Sequence, residues 1–251
     1  LEWRLPEAHA IYWASVGLAD ASRTNLVFLR RAVLQPSQMS VIRGRIVRLP
    51  EAGDLVTGPD LSKVKLVNGI YERMLAEEDQ NKVSIQPGHW NFLQTVIHLL
   101  YTHNRVAEAR YWYSYLRDHY PERAPAGTTV EDFVFDRHLR DLATFGYDKS
   151  VAVIEGYMTE AYASMAFDDA DRAAGMMGMA LQLWQFYKQK ADKQKQRLEL
   201  PPFDDMKRAV LEGLLEPQSR MIPELKTRLR TLLNLPAPGA PATNAPAAGP
   251  A

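Results

Sequence analysis

The side chains best suited to acid–base or metal chemistry near neutral pH are six histidines: His9, His89, His98, His103, His119 and His138. None lies in an H-E-x-x-H pair. His98 and His103 are five residues apart, not the four that put two ligands on one helix face. The nearest approach to a catalytic grouping is Arg4, Glu7 and His9, where a carboxylate stands two residues from an imidazole. Such a trio does general acid–base work only if the fold gathers it with distant residues around a substrate. The reading that needs no substrate makes His9 a hydrogen-bonded histidine at a helix packing seam. The chain has no cysteine, which removes disulfides, thiol nucleophiles and thiolate metal sites together. It also has no GxGxxG or GxxxxGK[ST] phosphate loop and no G-x-S-x-G elbow. The acidic groups Glu77-Glu78-Asp79 and Asp168, Asp169 and Asp171 are accounted for by helix caps and turns, and the second lacks the ligand order of a calcium loop. The expectation is therefore no catalytic residue, no metal and no cofactor.

Two features could instead make a surface. Arg30, Arg31, Arg43, Arg45 and Arg48 make one segment basic. Such a face can pair with acids of the same chain, meet anionic lipid headgroups, or contact phosphates of a nucleic acid. Residues 1–48 carry 7 basic and 3 acidic side chains, residues 49–187 carry 12 and 20, and residues 188–251 carry 11 and 7. An acidic middle between basic ends favours the first use, and the net charge of zero makes nucleic acid the weakest. The second feature is the aromatic run Tyr111, Trp112, Tyr113 and Tyr115, which spans more than one helix face. With Tyr113 in the core, Tyr111, Trp112 and Tyr115 are left to bind a protein partner or to pack on neighbouring helices.

The element that must position these groups is the stretch from His89 to Pro121. Phe92, Leu93, Val96, Ile97, Leu99 and Leu100 recur at helical spacing, and Val106, Ala109, Tyr113 and Leu116 repeat the pattern after Thr102-His103-Asn104. Asn104 suits a left-handed helix end, Pro121 stops the second arm, and so short a turn makes the two helices antiparallel. Leu93, Leu100, Ala109, Tyr113 and Leu116, counted back from Pro121, match the pattern of a tetratricopeptide repeat. The unit resembles that repeat in degenerate form, since Ile97 stands where the repeat prefers Gly or Ala.

The rest of the chain also reads as helix. An aromatic-rich helix with Pro6 in its first turn covers residues 1–20. A longer one covers 24–48, with a kink or split expected at Pro36. MSVIRGRIV is the nearest strand candidate, but its setting in a helical run favours helix. Residues 49–59 read as a loop, and a third helix runs from Asp60 to Asp79. Residues 80–88 read as a linker, with Pro87 starting the first hairpin. Thr129 and Asp132 approximate a capping box that opens a short helix to Phe145. A second hairpin spans 149–196 about Phe167-Asp168-Asp169, and two last helices cover 201–216 and 218–234. Residues 235–251, rich in Pro and Ala, read as a disordered tail.

The opening LPEAHAIYWA followed by RRAVLQ and RGRIV is similar to an uncharacterised bacterial family of helical proteins, whose members often carry a membrane segment upstream. That resemblance implies membrane association through residues absent from this chain. The chain starts at Leu1 and holds no run of the roughly 20 apolar residues that span a bilayer. The expected fold is all-α, one domain over residues 1–234. Its antiparallel hairpins would stack as a short tetratricopeptide-like solenoid, or else close into a compact bundle. The expected role is a non-catalytic interaction or scaffold domain for a protein partner. The alternatives are an enzyme assembled around His9, and a binder of anionic lipid or nucleic acid through Arg43, Arg45 and Arg48.

Overall fold

The computed structural model describes residues 2–48, 55–77, 82–135, 147–194 and 199–236. The fold is all-α, with one small β-hairpin among the described residues. Helices α1 (Pro6–Leu18) and α2 (Arg23–Arg43) pack as a pair, followed by strands β1 (Arg45–Arg48) and β2 (Leu55–Gly58). Then come α3 (Val64–Glu77), α4 (Lys82–Thr102), α5 (Val106–His119), a helical run at 130–135, α6 (Tyr147–Ala166), α7 (Ala170–Gln194), α8 (Phe203–Leu215) and α9 (Pro223–Leu232). α2 packs on α3, α3 on α4, and α4 on both α5 and α7, while α6 packs on α7, α8 and α9.

Both expected hairpin turns form through left-handed residues. Asn104 has φ 57° and Asp168 has φ 64°. The amides of Arg105 and Asp169 return to the carbonyls of Leu100 and Ser164 at 2.9 Å, closing the ends of α4 and α6. The capping box is reciprocal: the Thr129 amide donates to Asp132 Oδ2, and the Asp132 amide to Thr129 Oγ1, each at 3.0 Å. The rest of that expected helix, residues 136–146, and the tail, residues 237–251, lie outside the described residues.

The structure corrects the helical reading of RGRIV. α2 ends at Arg43, and β1 pairs antiparallel with β2 in the register Arg45↔Gly58 to Arg48↔Leu55. Gly44 makes this turn because a Cβ there would stand 1.9 Å from the Ser40 carbonyl oxygen. The following Ile46 and Val47 are β-branched and suit the strand. The Asp60 amide then donates to the Val41 carbonyl at 2.8 Å and pins the returning chain to α2. α2 is continuous through Pro36, where the Ser37 hydroxyl donates to the Val33 carbonyl at 2.7 Å. α4 starts at Lys82, so Pro87 lies inside it rather than at its start.

Leu93, Ile97, Leu100, Leu116, Ile154, Met158, Met179 and Leu183 are fully buried in the main core. The five positions that match the tetratricopeptide pattern are all buried, and so is Ile97. A smaller cluster of Tyr162, Ala166, Leu225 and Leu229 seats α9 on α6.

Candidate functional site

The catalytic candidates at the N-terminus do not come together. The Arg4 guanidinium closes on the Glu2 carboxylate at 2.8 Å, and Arg43 Nε donates to Glu7 Oε1 at 2.8 Å. His9 Nε2 donates to the Trp3 carbonyl at 2.8 Å. His9 is thus hydrogen-bonded as expected, but it sits on the exposed surface rather than at a packing seam. Glu7 is the unusual member: it is buried, and its Oε2 has no hydrogen-bond partner among the described residues. Arg43→Ala should therefore cost about 2 kcal/mol, because it leaves both oxygens of a buried carboxylate without a partner. Arg4→Ala, whose partner is on the surface, should leave the urea midpoint little changed.

A close set of titratable groups lies elsewhere, where α3, α4 and α5 meet. His89 is 1% exposed and has both ring nitrogens engaged. Nε2 donates to Asn68 Oδ1, and Nδ1 accepts from the Tyr120 hydroxyl, each at 2.8 Å. Its ring stacks on Tyr71 at 4.7 Å. Beside it the Tyr115 hydroxyl donates to Glu72 Oε1 at 2.6 Å, and the Tyr115 ring stacks on His119 at 3.9 Å. Burial pulls the His89 imidazole down to about 4, so it is neutral near pH 7. A neutral imidazole with both nitrogens occupied has no lone pair or proton to offer a substrate. His89 fastens three helices together. Its partners are 21 and 31 residues away, so no local spacing in the sequence marks it.

The arginines expected to form a basic face are turned toward carboxylates. Arg43 pairs with Glu7, Arg45 with Asp169 and Arg30 with Glu77. Two of these pairs join the basic N-terminal part to the acidic middle. Arg48 ends β1, and its side chain lies outside those described. The aromatic trio also separates. Trp112 is in the core, Tyr115 is half-buried against Glu72 and His119, and Tyr111 alone is exposed, at 59%.

An exposed aromatic surface lies on α1 and the residues before it. Trp13 is 66% exposed, Trp3 52%, Val16 48% and Tyr12 46%. Trp3 meets Tyr12 edge to face at 5.7 Å, and Tyr12 meets Trp13 at 5.1 Å. Ile11, Ser15 and Leu18, spaced to share one stripe of the same helix, line a groove of about 430 Å³ over α2 and α3. Val33, Leu66 and Ile70 make its apolar wall, and the Arg30–Glu77 ion pair and Arg73 also line it. The sequence marked Trp3, Tyr12, Trp13 and Val16 as members of an opening helix but not as an outward face. Their apolar types fall on both sides of α1, so periodicity alone cannot orient them.

Among the described residues no helix is long and apolar enough to cross a membrane, and no group of three or more His, Asp or Glu could hold a metal ion. No family model matches the chain, and neither a curated protein nor a solved structure matches it.

Proposed function

We propose that this chain is a non-catalytic interaction domain that binds a protein partner through the outer face of α1 and the groove beside it. The observation that carries the reading is the exposed aromatic row of Trp3, just before α1, with Tyr12 and Trp13 on it, joined there by Val16. Single exposed apolar side chains are ordinary, whereas contiguous Trp and Tyr next to an apolar groove mark a surface that gains by being covered. The separation of Arg4, Glu7 and His9, and the full occupation of His89, weigh against an enzyme. The carboxylate partners of Arg30, Arg43 and Arg45 weigh against a binder of lipid or nucleic acid through those arginines. In this reading the pairs α1/α2, α4/α5 and α6/α7 form a short tetratricopeptide-like stack, with a compact bundle as the alternative.

The test is photo-crosslinking in the cell of origin, with p-benzoyl-phenylalanine replacing Trp13 and, as a control, the exposed Glu212 of α8. A discrete crosslinked polypeptide from position 13 and none from position 212 is the expected result. Trp13→Ala with Tyr12→Ala should then lower its capture by at least about tenfold without moving Tm. Sedimentation with anionic vesicles and no crosslinked polypeptide would replace the protein partner with a membrane surface.

A further inference from the structure

The outer face of α1 carries hydrogen-bond donors as well as rings. Among the described residues the indole N–H groups of Trp3 and Trp13 and the hydroxyl of Tyr12 donate to no protein group, and all three side chains are exposed. An indole N–H can only donate, so this face is matched by acceptors that bring no proton. The charges beside it are already satisfied, Arg4 by Glu2 and Glu7 by Arg43. The occupant that suits it is therefore uncharged, apolar and rich in free carbonyls. A polyproline II chain has those properties: it makes no internal hydrogen bonds, and each proline offers a carbonyl and no N–H. The fold already uses this chemistry once. Trp184 Nε1 donates to the Pro201 carbonyl at 2.9 Å, and Pro202, next along, holds φ −50° and ψ 140°, close to polyproline II. That indole is thereby taken, whereas those of Trp3 and Trp13 are not.

Residues 236–251, PAPGAPATNAPAAGPA, carry five prolines and no charged side chain. Pro238 and Pro241 are three residues apart, one turn of polyproline II or about 9 Å, which is the scale of the ring steps of 5.7 and 5.1 Å from Trp3 to Tyr12 to Trp13. From this match we propose that residues 237–251 of this chain dock in polyproline II form on Trp3, Tyr12 and Trp13, and that a partner reaches this face by displacing them. The inference rests on the proposed use of the same face and names what covers it first. The segment can reach it. Three ion pairs step from α9 to α1: Arg228 with Asp168, Arg45 with the adjacent Asp169, and Arg43 with Glu7. Fifteen residues in polyproline II extend to about 45 Å. Because the segment is tethered, its effective concentration is on the order of millimolar, and a weak contact suffices to hold it.

The chain has no cysteine, so Ala242→Cys gives a single position for a nitroxide spin label on the whole protein. The indole N–H signals of Trp3 and Trp13 should fade by about twofold or more relative to the reduced label, and the loss should survive about tenfold dilution, because the contact is intramolecular. The indole of Trp112, in the core, should keep its signal. Pro238→Gly with Pro241→Gly loosens polyproline II without touching a described residue, so it should restore the Trp3 and Trp13 signals and leave Tm unchanged. Signals that ignore the label overturn the proposal, and so does an equal loss in the double glycine variant. A loss that disappears on dilution also overturns it and gives the face to the same segment of a second copy. A polypeptide crosslinked at position 13 with no label effect removes this inference alone and leaves the partner reading in place. A label effect with no crosslinked polypeptide keeps the docked segment and removes the partner.

Discussion

Gly175→Ala should destabilise the protein by about 3 kcal/mol or more, even though it replaces a poor helix former with the best one in the body of α7. On propensity alone the change would add up to about 1 kcal/mol. The sign reverses because α7 crosses the turn of the first hairpin with no room for a side chain. A Cβ on Gly175 would stand 2.1 Å from the Thr102 carbonyl oxygen, 2.5 Å from its carbon and 2.9 Å from the Asn104 amide nitrogen. All three are backbone atoms, so no rotamer change relieves the overlap. Asn104 already holds φ 57°, which leaves the turn little freedom to retreat. Either α7 lifts from α4 or the turn unwinds, and both open the junction between the two hairpins. Gly178, one turn further along α7, is the control, because nothing lies within 4 Å of a Cβ built there. Gly178→Ala should leave stability unchanged or raise it. Urea denaturation of both variants decides the matter, and equal midpoints would show that the two helices do not approach as described.

The sequence carried the helices and turns well and the contacts between them poorly. Asn104 and the Asp168-Asp169 pair announce their turns, because their short polar side chains tolerate left-handed backbone and the apolar periodicity breaks at them. Thr129 and Asp132 announce a cap for the same local reason. The β-hairpin was missed because each strand is four residues long, too short for alternation to stand out from a helical run, and Gly44 reads as a tolerable helix glycine. Gly175 shows the limit more sharply: in sequence it is a defect of α7, and only the arrival of Thr102 from 73 residues earlier gives it a purpose. The aromatic candidates divide between core and surface: Trp112 is buried, Tyr115 is half-buried and Tyr111 is exposed. The surface that does face outward, on α1, looks in sequence like any other mixture of Trp, Tyr and Ala.

Removal of the buried imidazole should be the other large effect. His89→Leu leaves Asn68 Oδ1 and the Tyr120 hydroxyl, both on buried residues, without their partner. At about 1–3 kcal/mol for each unsatisfied group, a loss of about 2–4 kcal/mol near pH 7 is expected after the gain of an apolar side chain is allowed for. The pH dependence separates this from simple mispacking. Burial, the largest influence, lowers the His89 value from 6.5 to about 4; Glu72 opposes the shift and His119 adds to it. The unfolded chain therefore takes up a proton between pH 6.5 and about 4 that the folded chain refuses. The stabilising contribution is complete above pH 6.5 and drains away as the pH falls toward 4. Burial lowers His103 as well, which adds a loss of the same sign. The carboxylates held below their usual range, Glu2, Asp60, Glu131 and Asp132, have ordinary values of 4.5 or less, so their losses begin only in more acidic solution. Between about pH 6.5 and 4.5 the slope belongs to the histidines, and the parent protein should lose about 2–3 kcal/mol there through His89. His89→Leu lacks that term, so the gap between parent and variant should narrow steadily as the pH falls across this window. Urea titrations of both proteins at about pH 7 and about pH 5 measure the gap directly. A gap that stays constant would place the imidazole in water rather than between Asn68 and Tyr120, and the joint of α3, α4 and α5 would need another fastening.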